Sequence, residues 1–184
     1  MIEILVGTNR PGSNTRKIAT QIAEIYTTEL GAQAALLDLA TLPPELFAPA
    51  AYENKPAAFA TFNRAILDSA GLVIVTPEYN GSMPGVLKYF IDHWKYPEAF
   101  EHRPICYVGL SAGPTGAVRP IEHLSAIFAY RNAWQFPERV FLPNINDLLD
   151  PATGKLTDAK LVARVEKQAR GFLDFLSRLR KTKN

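Results

Sequence analysis

The chain contains 184 residues, with 20 Lys and Arg against 18 Asp and Glu, which gives a formal net charge of +2. This length favours one domain, and the balanced charge excludes a strongly basic nucleic-acid-binding protein. The single cysteine excludes an internal disulfide and a cysteine-ligated metal cluster. No apolar run approaches the roughly 20 residues of a membrane-spanning helix, and the first residues lack the basic leader of a signal peptide. We therefore expect a cytoplasmic protein that does not insert into a membrane.

Short apolar runs alternate with amphipathic stretches along the chain, which predicts alternating strands and helices. In chain order the pattern predicts a strand over 2–6, a helix over 15–30, a strand over 34–39, a helix over 57–69, a strand over 72–75, a helix over 82–94, a strand over 105–110, a helix over 118–130, a strand over 134–142 and a helix over 157–179.

Glycines, prolines and one serine mark where these elements begin and end. Gly31 should end the first helix, and Ser82 should cap the third, whose first turn tolerates Pro84. Several prolines within residues 40–56 predict a long surface loop. Pro137 cannot donate a ladder hydrogen bond, which places the fifth strand at a sheet edge.

Five strands that alternate with helices predict an α/β fold, with a parallel sheet covered by helices on both faces. The number of strands favours the flavodoxin-like, doubly wound order 2-1-3-4-5. We expect one domain over residues 1–180 and a frayed tail over 181–184.

Ligands of such sheets bind beyond the carboxyl ends of the strands. The loop after the first strand, residues 7–16, is long for a strand-to-helix connection and precedes a helix N-terminus. It contains three hydroxyl side chains, two asparagines and two arginines, which suit a terminal phosphate. It lacks the Walker A and Gly-x-Gly-x-x-Gly patterns. The alternative is an ordinary turn in which Ser13 or Thr15 only caps the helix.

Two further loops follow the third and fourth strands. Residues 76–85 combine turn-forming Pro, Asn and Gly with Tyr79 and Met83, which suits a flat heteroaromatic ligand, although a purely structural turn is an equal alternative. Small residues within 111–119 allow a ligand to approach the backbone closely.

The three loops together resemble the NADPH-dependent FMN reductase family, which includes NAD(P)H:quinone and azobenzene reductases. The most specific match is Pro-Glu-Tyr-Asn at 77–80, followed by Pro-Gly-Val-Leu-Lys at 84–88 and Ile-Asp at 91–92. Gly-Thr-x-Arg at 7–10 and Gly-x-x-Gly at 113–116 also match. The likeness extends over essentially the whole chain. The chain departs from many members by having Thr8 instead of Ser, and Gly-Ala instead of Gly-Gly at 116–117.

The resemblance implies FMN as the bound cofactor and NADPH or NADH as the hydride donor. The residues that it implies for the FMN phosphate are Thr8, Arg10, Ser13, Asn14, Thr15 and Arg16. Those implied for the isoalloxazine ring are Pro77, Glu78, Tyr79, Asn80 and Gly81 on one side and Ser111 and Gly113 on the other. No side chain is predicted as an acid, a base or a nucleophile, because the hydride moves through the flavin.

The implied function is an oxidoreductase that passes a hydride from the nicotinamide to FMN. The hydride then goes on to a quinone, an azo compound, free flavin or a similar small acceptor. Family members commonly form homodimers or homotetramers, so we expect a homo-oligomer. One alternative is a flavodoxin-like FMN electron carrier without nicotinamide turnover, although such carriers are typically strongly acidic. Another is a protein that binds a phosphate ligand without redox chemistry.

Overall fold

The computed structural model describes residues 1–181, in which a parallel sheet is covered by helices on both faces. The strands are β1 (Ile2–Val6), β2 (Ala34–Asp38), β3 (Gly71–Pro77), β4 (Pro104–Leu110), β5 (Trp134–Gln135) and β6 (Val140–Leu142). The helices are α1 (Asn14–Glu24), α2 (Ala60–Asp68), α3 (Gly85–Asp92), α4 (Val118–Tyr130), α5 (Ile145–Leu148) and α6 (Ala159–Lys181). The strand order β2-β1-β3-β4-β5, with β6 also paired to β4, confirms the predicted flavodoxin-like topology.

Side chains along each strand point alternately to the two faces of the sheet, so the apolar core has two layers. In β1, Ile2, Ile4 and Val6 pack in the layer covered by α1 and α6, whereas Leu5 packs in the layer covered by α2, α3 and α4. Strands β3 and β4 are buried along their whole length, as is usual for apolar strands with helices on both faces of the sheet. The helices on both faces leave the carboxyl ends of β1, β3 and β4 together at one edge of the sheet.

The fifth predicted strand is interrupted, so the prediction of one continuous strand over 134–142 is wrong. Its two pieces, β5 and β6, both pair with β4 at the edge of the sheet, where Pro137 predicted an edge. The buried amide of Gln168 in α6 donates to Tyr107 O at 2.9 Å and to Glu138 O at 2.8 Å. The amide thus satisfies a β4 carbonyl beside the gap where the edge strand leaves the sheet.

The third helix begins later than predicted, and the first helix changes type before its predicted end. Ser82 does not cap the third helix, because its backbone pairs with Tyr79 and α3 begins at Gly85, after Pro84. The first helix changes to a π-helical turn at Ile25–Glu29 before it ends.

The segment predicted as a surface loop over 40–56 contains short 3-10 turns, two of them begun by prolines. Leu42 and Leu46 from this segment are buried in the layer formed by α2, α3 and α4. Lys181 is the last residue of α6, and the rest of the predicted tail, 182–184, lies outside the described residues. Within the described chain, no helix combines the length and apolar character needed to cross a bilayer.

Glu3 is an acidic residue buried inside β1, with 3% of its surface exposed. It lies between Ile2 and Ile4, so its side chain projects from the sheet on the same side as that of Leu5. Burial disfavours the charged form and raises the pKa of the Glu3 carboxyl from 4.5 to about 7, although the positive N-terminus acts in the opposite direction. Stability should therefore depend on pH.

Between pH 4.5 and about 7, the folded chain keeps a proton on Glu3 that the unfolded chain has released. The free energy of unfolding therefore falls as the pH rises through this window and stays low above it. We expect Glu3→Gln to stabilise the protein at pH 8 by about 1–3 kcal/mol, with no gain near pH 4. Thermal unfolding at both pH values measures this, with the exposed Glu29→Gln as control. An equal shift at both values contradicts it.

Candidate functional site

Loops from the carboxyl ends of β1, β3 and β4 surround a cavity of about 370 Å³. This volume lies within the range of small-molecule and cofactor pockets. Its lining residues are Arg10, Pro11, Gly12, Ser13, Asn14, Thr15, Pro77, Glu78, Tyr79, Leu110, Ser111, Ala112, Ile145 and Asn146. The cavity thus lies beyond the carboxyl ends of the strands, where the topology predicts a ligand.

The first loop leads into the N-terminus of α1. Ser13 is the N-cap, and its hydroxyl accepts from Arg16 N at 3.2 Å. The first N–H groups of a helix have no partners within the helix, so those at Asn14 and Thr15 are suited to bind an anion at the cavity wall. Arg10 adds an exposed guanidinium at the rim. The beginning of α1 therefore presents donors and positive charge to the cavity.

The second loop forms a two-residue hairpin. Asn80 and Gly81 both adopt positive φ angles, 51° and 76°, as a type I′ turn requires. Tyr79 and Ser82 exchange backbone hydrogen bonds across it, at 2.9 and 3.1 Å. The turn directs Tyr79 toward the first loop, where its hydroxyl is 3.0 Å from the buried Thr8 hydroxyl.

Glu78 connects the second loop to the third. Its carboxylate accepts from Thr115 Oγ1 at 2.6 Å and from an Arg119 guanidinium nitrogen at 3.1 Å. The Glu78 side chain is only 12% exposed, whereas that of Arg119 is 62% exposed. Glu78 also donates its N–H to Leu110 O at 3.1 Å, which extends the pairing of β3 and β4 beyond the strands. The second loop is therefore held to both of its neighbours.

The third loop is closed by the Ser111 side chain. The hydroxyl donates to Gly113 O at 2.7 Å and accepts from Gly116 N at 2.9 Å. The segment after β6 then binds this loop, since Asn144 N donates to Gly113 O and Ile145 N to Ser111 O, both at 2.9 Å. These contacts bring α5 to the cavity.

The structure brings eight of the sequence-predicted residues to the cavity wall. These are Arg10, Ser13, Asn14, Thr15, Pro77, Glu78, Tyr79 and Ser111. The other predicted residues, Thr8, Arg16, Asn80, Gly81 and Gly113, lie in the same loops but do not line the cavity. Thr8 is fully buried and contacts Tyr79, and Arg16 turns away to pair with Asp38 at 3.3 Å.

Sequence reasoning missed the contribution of α5. Asn146 lines the cavity, and its Oδ1 accepts from Asn14 Nδ2 at 3.0 Å. The two residues are 132 positions apart, and no motif at 145–146 signals the contact. The neighbouring Pro11, Gly12, Leu110 and Ala112 also line the cavity and belong to loops that the sequence did single out.

A family model for NADPH-dependent FMN reductase matches residues 1–147. The chain belongs to this family. The match contains all three loops, and the family membership confirms the resemblance, the oxidoreductase class and the pairing of FMN with NAD(P)H.

Curated relatives and a solved structure agree with the family. A 2-hydroxy-1,4-benzoquinone reductase from Burkholderia sp is 32% identical over 132 residues, which is 70% of each chain. A quinone reductase from Escherichia coli K12 is 29% identical over 180 residues, 96% of this chain and 95% of the relative. The fold matches that of FerB, a flavoenzyme NAD(P)H:(acceptor) oxidoreductase from Paracoccus denitrificans, with a TM-score of 0.79 and 22% identity. That match covers 96% of this chain and 97% of FerB.

The residues present fit FMN chemically. Free N–H groups at the start of α1, with Arg10 beside them, suit a phosphate dianion. Gly12, which lines the cavity, has no heavy atom within 4 Å of a Cβ placed there, so the backbone at this part of the wall has open space in front of it. Tyr79, 37% exposed, offers an aromatic surface at the rim.

The Gly-Ala pair at 116–117 departs from the family pattern, and its geometry explains the family's preference for glycine. Both residues have positive φ angles, 61° at Gly116 and 67° at Ala117. A Cβ on Gly116 would lie 2.9 Å from Phe141 Cβ and 3.0 Å from Leu142 N. Ala117 tolerates the left-handed conformation at a strain cost, whereas position 116 has no room for a side chain.

We expect Gly116→Ala to lower the free energy of unfolding by about 2–4 kcal/mol, because the new methyl group combines left-handed strain with a backbone clash. Gly113→Ala is the matched control, since it meets nothing within 4 Å and has no positive φ. Urea unfolding of both variants measures the difference. Equal stability of the two variants would show that the third loop adapts freely.

Proposed function

We propose that the cavity binds FMN with its phosphate at the N-terminus of α1 and its ring beside the loop after β3. The chain then acts as an NAD(P)H-dependent reductase of small acceptors. The observation that supports this most strongly is that the α1 N-terminus and the Tyr79 turn both form walls of one cavity. A phosphate and a flat ring joined by a flexible chain match these two walls.

In this proposal the phosphate is bound by Arg10, Ser13, Asn14 and Thr15. Ser13 already caps α1, so its backbone and hydroxyl are fixed before the ligand arrives. Thr8 acts indirectly, because its buried hydroxyl holds Tyr79 in position. Arg16 contributes positive charge near the mouth while it pairs with Asp38.

The ring region is formed by Pro77 to Gly81 and by the third loop. FMN supplies the hydride chemistry when bound: it accepts a hydride from a nicotinamide and passes it to an acceptor. The chain positions the ring edge and supplies backbone N–H groups of the Asn80–Gly81 turn for the charge that develops there. Ser111 and Gly113 border the opposite side of the ring.

The acceptor class that we propose is a quinone or a similar flat, conjugated molecule. Both of the curated relatives described above are named as quinone reductases, and the one from Escherichia coli K12 matches this chain over nearly its whole length. We also propose a cytoplasmic homodimer or homotetramer. Tyr96 and Tyr130 are 58% and 77% exposed and both rings contact the Arg131 guanidinium, and aromatic residues and arginine are enriched at subunit interfaces.

The competing function is an FMN electron carrier without nicotinamide turnover, and flavin reduction separates the two. We expect the purified, FMN-reconstituted protein to lose its yellow absorbance when NADPH or NADH is added anaerobically. Addition of a benzoquinone should then restore it. Retained flavin that stays oxidised with both donors would support the carrier and contradict the reductase.

Replacing the residues proposed to bind the phosphate should lower the affinity for FMN more than it lowers the rate of flavin reduction. We expect Arg10→Ala and Ser13→Ala each to raise the FMN dissociation constant by about tenfold, from the loss of a charge-assisted or capping contact. The rate of reduction in FMN-saturated protein should change little. Flavin fluorescence titration measures binding, and Arg64→Ala, an exposed arginine on α2, is the control. Unchanged FMN affinity in both variants would refute the phosphate assignment.

A further inference from the structure

A second groove begins at the loop that would bind the FMN phosphate. It has a volume of about 320 Å³ and shares Gly12 and Ser13 with the first cavity. From there it runs along one side of α1, where Arg16, Thr20 and Glu24 line it. These three residues are spaced by four and therefore lie on the same face of the helix. The two spaces thus lie next to each other at the start of α1.

The opposite wall of the groove is a tight turn at 150–155. The Asp150 carboxylate accepts from Ala152 N, Thr153 N and Thr153 Oγ1 at 2.7–3.0 Å, which fixes the turn. Gly154 has a φ of 70° and packs against Lys17, whose Cδ would lie 3.0 Å from a Cβ at position 154. A larger residue at 154 would therefore displace the Lys17 side chain.

The charges of this groove suit a phosphate ester attached to a polar ring system. Arg16, Lys17 and Lys155 contribute three positive charges, against one negative charge from Glu24. Lys155 pairs with Glu24 at 3.0 Å, and both side chains are about half exposed. Such exposed pairs contribute little free energy, so a phosphate can compete for the lysine at small cost. The Glu24 carboxylate can accept hydrogen bonds from ribose hydroxyls and from an amino group.

We propose that this groove binds the adenosine phosphate half of a dinucleotide. The inference rests on the proposed function, because the groove shares Ser13 with the site assigned to the FMN phosphate. The chemistry has two sources: FAD, whose adenylate is joined to that same phosphate, and the nicotinamide donor, whose adenylate enters beside bound FMN. In both cases Lys155 and Lys17 contact phosphate oxygens, and the α1 face from Thr20 to Glu24 contacts the adenosine.

Two variants test the groove by different physical means. Lys155→Glu reverses a charge on the turn, and Thr20→Trp fills the groove from an exposed helix position. Neither residue lines the first cavity. Lys160→Glu, an exposed lysine in the first turn of α6 and outside the groove, is the matched control for the charge change.

Flavin-free protein is titrated with FMN and with FAD by fluorescence quenching, and FMN-loaded protein is titrated with NADP⁺ by calorimetry. We expect both groove variants to raise the dissociation constant of FAD or of NADP⁺ by about fivefold or more, while that of FMN changes less than twofold. Lys160→Glu should change none of the three. If the variants weaken the binding of FAD, the groove binds the adenylate of the flavin. If they weaken the binding of NADP⁺, the groove binds the adenylate of the hydride donor.

Three results would overturn the inference. They are unchanged binding of both dinucleotides in the two variants, an equal loss of FMN affinity, or failure of the unchanged protein to bind either dinucleotide. Failure of the proposed function has a different signature, since FMN itself would not bind to the unchanged protein. FAD binding that is sensitive to the groove variants would still establish the groove in that case.

Discussion

The loop after β3 is held from both sides, and the geometry of the cavity depends on this. On one side the Tyr79 and Thr8 hydroxyls are 3.0 Å apart, and on the other Glu78 accepts from Thr115 at 2.6 Å. Both contacts join residues far apart in sequence, so they form only when β1, β3 and β4 already lie side by side. The parallel sheet is thus both the scaffold of the site and the condition for its side-chain contacts.

These contacts divide the polar residues of the site into two groups. Thr8 and Ser111 direct their hydroxyls to other parts of the chain and are almost fully buried. The backbone at the start of α1 and the exposed Arg10 face the cavity instead. Because a hydroxyl that organises a loop is less available to a ligand, the FMN site that we propose depends mainly on backbone N–H groups and charge. This arrangement fixes the donors in place before binding, which lowers the entropy cost of binding.

The sequence predicted the sheet well because β3 and β4 are continuous, mostly apolar runs buried on both faces, and β1 is apolar except for Glu3. It failed where tertiary contacts override local preference. The edge strand breaks around Pro137, and the buried Gln168 from a distant helix stabilises the gap, which no local pattern reveals. The motifs located the three loops of the site. They did not show that Asn146 would reach the cavity, because that contact depends on the path of the chain after β6.

The distribution of charge favours a reductase over an electron carrier more clearly than the net charge of +2 does. Arg10 lies at the cavity rim, and Arg16, Lys17 and Lys155 line the adjoining groove. A phosphate-bearing cofactor and a phosphate-bearing hydride donor are both anions, and a cationic mouth increases the rate at which each arrives. A carrier that keeps its flavin needs this attraction only once, during assembly. A reductase that turns over a dinucleotide needs it in every cycle, so positive charge that extends beyond the phosphate site suits the reductase.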